Sequence, residues 1–418
     1  MATVPVSDNA PAITQTPSSG LLVSLSPLSD EGLEATLANL ADAFPDQLVD
    51  VTTPDPAPTS VAENLRITTY TPAVAPPTGW VLTAADYLNT HKQMQDRKSI
   101  ACILLGPEAQ SLAPESLRSL AAAVIASENS AADLATPRYA LGPRDGLVNS
   151  AILYPVTRAL FATRSRYPLA IDLAFSARMS ERLAACAQRL TANQPAALVW
   201  PVAEAAIASF TIAEVPDVSR TLPSPDAIDL NSLLAVVAGS LFSDLDAKAS
   251  FWQRARLAYS PRAAAALAES APAQPATDSN SNKPPEIPDI QPMLDSFRLA
   301  YTNLHEIWSL VLPPNSLLGL KKLSLMPPAD FRMPDSLWAR IVYDFVLAYR
   351  LRTINRGHLL GALTPLYLAW VASHLILTSG AAAETLSPDQ HIEILAAAFE
   401  TDKPYLVARW RWPDRFNP

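Results

Sequence analysis

Cysteine, histidine and glycine are scarce in this 418-residue chain, and each scarcity excludes a class of chemistry. Its two cysteines, Cys102 and Cys186, allow neither a disulfide framework nor a cysteine zinc site, and they fit a reducing, cytoplasmic setting. The five histidines (His91, His305, His358, His374 and His391) have no metal-site spacing with one another, so no His-rich centre is expected. His305 and His374 read instead as packed or half-buried helix residues. Eleven glycines against 39 prolines suggest stiff loops and leave no Gly-rich phosphate loop or dinucleotide fingerprint. Charged residues make up only 17% and the net charge is −9, which argues against a nucleic-acid partner with its usual basic face. The first twenty residues lack both a basic n-region and an apolar h-region, so no secretory signal is expected there. The longest apolar stretch, Gly361–Ser379, is interrupted by Pro365 and His374. Its length would suit a membrane span, but an all-round apolar segment equally suits a buried helix, and no span is expected.

What is present is a well-buried globular composition, 49% hydrophobic, in a chain long enough for two domains. Residues 1–19 are rich in Pro, Ser and Thr and read as a mobile tail. From Leu21 the pattern alternates. A strand-like run, Leu21–Leu25, precedes a helix that Ser29 or Asp30 can cap and that carries Leu33, Leu37, Leu40 and Phe44 at helical spacing. Gln47–Val51 reads as a second strand, followed by the proline-rich loop TTPDPAPTS. A helix near Thr83–Gln95 leads to the strand Ile100–Leu105, and Pro114 opens a helix reaching about Ala126. Strand and helix in this rhythm imply an α/β fold with a mostly parallel sheet covered on both faces.

Residues 268–290 are low in complexity and rich in proline and serine, which marks a linker within 261–290. Beyond it the strand pattern disappears. Phe297, Tyr301, Leu304, Trp308 and Val311 form one helical stripe, and Trp338, Ile341, Phe345 and Ala348 form another that starts near Pro334–Asp335. Further helices are expected over Arg356–Thr378 and Pro388–Thr401, before an aromatic-basic tail, YLVARWRWPDRF. The expected domains are therefore an α/β unit over residues 20–260 and an all-helical unit over 291–418.

Chemistry in an open parallel sheet sits beyond the carboxyl ends of the strands. Here that place follows Leu105 and reads Gly106-Pro107-Glu108. Downstream, residues 133–177 join a short apolar strand to an Asp-Gly turn (Asp145, Gly146) and Asn149, then a helix-like run Ala151–Phe161, an arginine-rich loop and an acidic turn at Asp172. Arg138, Arg144, Arg158, Arg164 and Arg166 concentrate positive charge in this acidic chain; they suit a small anion, or are an ordinary solvated set of charges. Asp145 and Asn149 can recognise hydroxyls from a sheet crevice, or simply build a tight turn and a capped helix.

The run 133–177, with DFRMPDSLWARIVYDFVLAYR and HLLGALTPLYLAW near the C-terminus, resembles bacterial nucleotide-sugar glycosyltransferases of the GT-A fold, the group that includes mannosylglycerate and glucosylglycerate synthases. The resemblance spans roughly residues 20–260 and 291–412. It implies a Rossmann-like sheet domain, transfer of a hexose from a nucleoside-diphosphate sugar to a small polar acceptor such as glycerate, and a Mg²⁺ or Mn²⁺ cofactor held by an Asp-x-Asp motif. Three places depart from that pattern. At the motif only Glu108 can serve, since its first carboxylate is missing around Gly106. In RYPLAIDLAFS the acceptor-site Asp172 survives, but two glycines correspond to Ala170 and Ile171. In EVPD, Pro216 stands where a histidine would complete the metal shell, and Asp217 remains.

Two readings stay open. A metal-independent transferase would stabilise the leaving diphosphate with Arg138, Arg144, Arg164 and Arg166, helped by Asn149, with Asp145 or Asp172 as base or acceptor anchor. A catalytically silent homologue would keep only vestiges, Glu108 and Asp217, of the metal site and act as a binding, scaffolding or regulatory partner, alone or in a homo- or hetero-oligomer.

Overall fold

The computed structural model describes residues 20–58, 62–73, 80–125, 131–191, 197–222, 229–254, 289–379 and 386–413. The expected N-terminal tail and nearly all of the expected linker lie outside these residues. In chain order the elements are β1 (Leu21–Leu25), α1 (Asp30–Ala43), β2 (Val49–Thr53), β3 (Leu65–Thr69), α2 (Ala84–Arg97), β4 (Ala101–Leu105) and α3 (Pro114–Ile125). Next come β5 (Leu134–Tyr139), a π-helical turn (Asn149–Leu153), α4 (Tyr154–Phe161), β6 (Asp172–Ser176), α5 (Ala177–Thr191), α6 (Pro201–Ile207) and β7 (Ile212–Val218). The remainder is helical: α7 (Leu230–Ala247), α8 (Ala249–Trp252), α9 (Gln291–Asn303), α10 (His305–Val311), α11 (Pro314–Ser324), α12 (Asp335–Leu351), α13 (Arg356–Thr378) and α14 (Pro388–Arg411).

The seven strands form one sheet in the order β3-β2-β1-β4-β6-β5-β7. Only β6 runs against the others, pairing antiparallel with both β4 and β5. β4 is a continuous apolar run, and β1 is one but for the buried Ser24, because both faces of the sheet are covered. Leu21, Val23, Leu25, Ile103 and Leu105 point into one core, while Leu22, Cys102 and Leu104 point into the other. The first core also takes in Phe297, Trp308, Trp338 and Trp370, so the C-terminal helices extend the hydrophobic layer beneath α1 and α3. The α/β architecture with a helical C-terminal region is therefore present.

Local rules account for most boundaries. Ser29 caps α1 by accepting the Gly32 N–H, and Pro114 sits at the start of α3. Four sequence expectations need correction. β3 was not foreseen: it is a short edge strand, half solvated and flanked by prolines, so its apolar signal is weak. The stripe from Phe297 to Val311 belongs to two helices that break at Leu304, whose φ/ψ of −107°/8° leaves the helical basin, although Phe297 still stacks on Trp308 at 6.4 Å. The helix-like run at Ala151 begins earlier, at Asn149, as a π turn, and the Ala151 carbonyl accepts the Trp338 indole N–H at 2.8 Å. The last helix continues past Thr401 to Arg411, so much of the aromatic-basic tail is helical, and Trp410 packs edge-on against Trp252.

α13 and α7 are each long and apolar enough to cross a membrane, but 89% of the α13 span is buried inside the protein. His374 on α13 is fully buried, stacks on Trp370 and His391, and shares a 2.7 Å Nδ1···Nδ1 hydrogen bond with His391 of α14. Burial and the neighbouring His391 push the His374 pKa from 6.5 down to about 3. The folded state thus refuses a proton that the unfolded chain accepts below about pH 6.5, and stability falls as pH drops from there. Melting followed from pH 6.5 to pH 5 is expected to show this loss, at up to ~1.4 kcal/mol per pH unit. His374→Phe should flatten that slope while lowering the melting temperature throughout.

Candidate functional site

The order of the sheet reverses between β1 and β4, which places the ligand crevice of such a fold at their carboxyl ends. There the Ser26 N–H binds the Leu105 carbonyl at 2.9 Å and stitches the two strand exits together. On the β1 side gather polar groups that sequence reasoning did not single out, Ser26, Thr83 and Asp86 buried and Asp55 half-buried. Ser26 donates to Asp86 Oδ1 at 3.0 Å, and the Thr83 N–H and hydroxyl donate to Asp86 Oδ2 at 2.7 and 2.9 Å. Asp55 accepts the Leu28 N–H at 2.8 Å. Burial outweighs these donors and raises the Asp86 pKa. The signal was legible, because Thr83-x-x-Asp86 is a capping box at the start of α2.

On the β4 side, Asp172 is not in a turn. It is the first residue of β6, paired with Leu105, and it is wholly buried. Its carboxylate is fully engaged. Arg220 donates from Nε to Oδ2 at 2.8 Å and from Nη2 to Oδ1 at 3.2 Å. Tyr139 donates to Oδ2 at 3.0 Å, and the Gly106 N–H to Oδ1 at 3.2 Å. The Tyr139 oxygen in turn accepts the N–H groups of Ile171 and Asp172 at 3.2 and 3.1 Å. Burial and the adjacent Asp172 hold the Tyr139 pKa well above its ordinary value, so the phenol stays a donor. An Asp so saturated has no lone pair directed at a substrate, and the catalytic role expected for it is not supported by this geometry. Arg220 was not among the residues expected at the site.

The surviving metal-motif residues do not rebuild a metal centre. Glu108 is exposed, has a left-handed φ of 62°, and its carboxylate accepts from Gln110 at 2.6 Å. Asp217 is exposed at φ 54° near an irregularity in the pairing of β5 with β7. Among the described residues no group of three or more His, Cys, Asp or Glu side chains could hold a metal ion. Gly106 explains part of the loss. A Cβ placed there would lie 2.4 Å from the backbone carbonyl oxygen of Ile171, so this backbone leaves no room for a carboxylate side chain at position 106. The residues present do not fit Mg²⁺ or Mn²⁺ as the resemblance would hold it.

The arginine group also divides differently from its expected role. Asp389, Glu393 and Glu400 lie on one face of α14, at spacings of four and seven residues. Arg138 and Arg166 both reach Asp389, at 3.0 and 3.2 Å. Arg166 also lies 3.7 Å from Glu393, with its guanidinium 4.7 Å from the centre of the Tyr154 ring. Arg158 binds Glu393 and, at 3.1 Å, Glu400. Asn149 is buried and donates to the Arg166 carbonyl at 2.9 Å. Arg138 on β5 and Arg166 in the loop before β6 are therefore docking residues that tie the sheet region to α14, and Asn149 braces that loop. Arg144 and Arg164 are exposed, as is Asp145, whose carboxylate closes its own turn by accepting the Gly142 N–H at 3.2 Å.

No known family pattern matches the sequence, and no curated protein matches it either. Solved structures of glucosyl-3-phosphoglycerate synthase from Mycobacterium tuberculosis are similar to it. The complex with Mn²⁺, UDP-glucose and phosphoglyceric acid is 15% identical, covering 54% of this chain and 78% of that one, with a TM-score of 0.33. The complex with Mg²⁺ and UDP has the same identity and coverage and a TM-score of 0.35. The complex with Mn²⁺, UDP and glucosyl-3-phosphoglycerate has a TM-score of 0.32 at 15% identity. At these values the fold class rests on the strand order itself.

Two variants check the site. Gly106→Asp restores the motif's first carboxylate in sequence, yet it should destabilise the fold by ~2 kcal/mol or more and gain no Mn²⁺ affinity by calorimetry. Arg158→Ala leaves the largely buried Glu400 without its partner and should cost about 3 kcal/mol in urea unfolding.

Proposed function

We propose that this chain is a glycosyltransferase-like protein of the nucleotide-sugar type that has lost the metal-dependent transfer site and acts as a binding, scaffolding or regulatory partner. The observation that carries this reading is the state of Asp172. Both of its oxygens are taken by Arg220, Tyr139 and the Gly106 N–H, in a position sealed from solvent. A transferase needs groups that are free until substrate arrives and whose charge can follow the reacting atoms. Here the acidic residue that the resemblance keeps is spent on the protein itself. Two of the arginines offered for the diphosphate, Arg138 and Arg166, are likewise spent on α14. Two buried free thiols, Cys102 and Cys186, fit a cytoplasmic setting.

The family-level activity, hexose transfer from a nucleoside-diphosphate sugar to a small polar acceptor such as glycerate, is the second reading. One observation favours it: the hydroxyls and carboxyls of Ser26, Asp55, Thr83 and Asp86 gather at the carboxyl end of β1, beside the point where the strand order reverses. UDP-sugar and a phosphorylated glyceric acid are the first ligands to try, because the mycobacterial synthases were solved with them.

A thermal-shift screen with UDP, GDP, ADP and their sugars, each with Mn²⁺, Mg²⁺ or EDTA, separates the readings. The silent reading predicts no shift that requires a divalent cation. A shift that persists in EDTA and is lost in Ser26→Ala would support a metal-independent donor site. A shift that appears only with Mn²⁺ would overturn the proposal.

A further inference from the structure

Arg220 presents its guanidinium to a cage made of oxygen. Besides the two bonds to Asp172, Nη1 donates to the Glu108 carbonyl, to Ser111 Oγ at 2.9 Å and to the Thr221 carbonyl at 3.3 Å, and Nη2 donates to the Pro107 carbonyl. The Arg220 side chain has no exposed surface, and neither has that of Asp172. A carboxylate, backbone carbonyls and a hydroxyl gathered around one guanidinium are the oxygen types that hard cations take. Neutral carbonyl oxygens turned inward from the Pro107–Glu108 turn repel one another unless a positive charge stands between them. In this turn Glu108 adopts φ 62°, a left-handed conformation that a non-glycine residue enters at a cost.

We infer that Arg220 is a built-in cation. Its guanidinium occupies a latent cation site and holds the ends of β4 and β6 and the exit of β7 together without any bound ion. The inference does not depend on whether the chain transfers a sugar. Removing the side chain would leave a cavity that still carries the Asp172 charge and the inward carbonyls. Glu108 and Thr221, whose carbonyls face the guanidinium, are both exposed residues. Wild-type protein, by contrast, should melt at the same temperature with Mn²⁺, with Ca²⁺ and with EDTA.

The test is cation rescue of Arg220→Ala. The variant is expected to melt well below wild type. Ethylguanidinium at low-millimolar concentration, or Mn²⁺, should raise its melting temperature, whereas neutral ethylurea should not. The double variant Asp172→Asn with Arg220→Met, which removes both charges together, should melt above Arg220→Ala and respond to neither cation. If Arg220→Ala does not fold, the same cations are added during refolding, and recovery of folded protein counts as rescue. Failure of both cations, equal rescue by ethylurea, or a wild-type melting temperature for Arg220→Ala would each overturn the inference.

Discussion

The buried pair of Arg220 with Asp172 is the interaction on which the crevice end of this fold depends. Two opposite charges removed from water are stable only if every remaining donor and acceptor is satisfied, and here the surroundings do so. Tyr139 and the Gly106 N–H complete the carboxylate, and the carbonyls of Pro107 and Glu108 complete the guanidinium. These groups come from the ends of β4, β5 and β6 and from the segment after β7, so one ion pair fixes strand exits that are distant in sequence. The same completeness leaves nothing over for a substrate. Saturated hydrogen bonding gives this place rigidity.

A second charge system joins the helical region to the sheet region. Arginines from β5, α4 and the following loop meet one carboxylate face of α14, and Tyr154 adds a 2.8 Å bond to Glu393. Unlike the Arg220 pair, this network is partly solvated, with more than half of Asp389 and Glu393 exposed. It gives direction to a contact whose strength comes from the shared hydrophobic layer, in which Trp308, Trp338 and Trp370 are completely buried. An arginine-rich loop in an acidic chain thus need not bind an external anion when a helix of the same chain presents the carboxylates.

Much of the scaffold was legible in the sequence because it follows local rules. Apolar runs marked β1 and β4, and Ser29 and Pro114 marked helix starts. The largely apolar Arg356–Thr378 segment packs as an interior helix, as its composition suggested. What failed were features set by neighbours. β3 is an edge strand without a strong core face, and the break at Leu304 interrupts a stripe that is periodic on both sides. Of the site, the partners of the residues flagged from sequence decide what they are: Arg138 and Arg166 pair with Asp389, and Asp145 closes its own turn. Asp172 was read as an anchor for a ligand, and its ligand is Arg220, forty-eight positions later in a loop with no motif of its own.

The sequence by itself therefore determined the α/β character, the helical C-terminal region, the scarcity of metal-binding side chains and the departures from the resembled pattern at Gly106, Ala170-Ile171 and Pro216. Those follow from residue type and short-range periodicity, which a linear reading carries in full. Only the tertiary structure decided that the Ile171 carbonyl forbids a side chain at position 106, that Arg138 and Arg166 face α14, and that a guanidinium stands beside Asp172. The physical reason is the same in each case. The charge state and availability of a buried group are properties of its contacts, and those contacts are made between segments that the sequence keeps far apart.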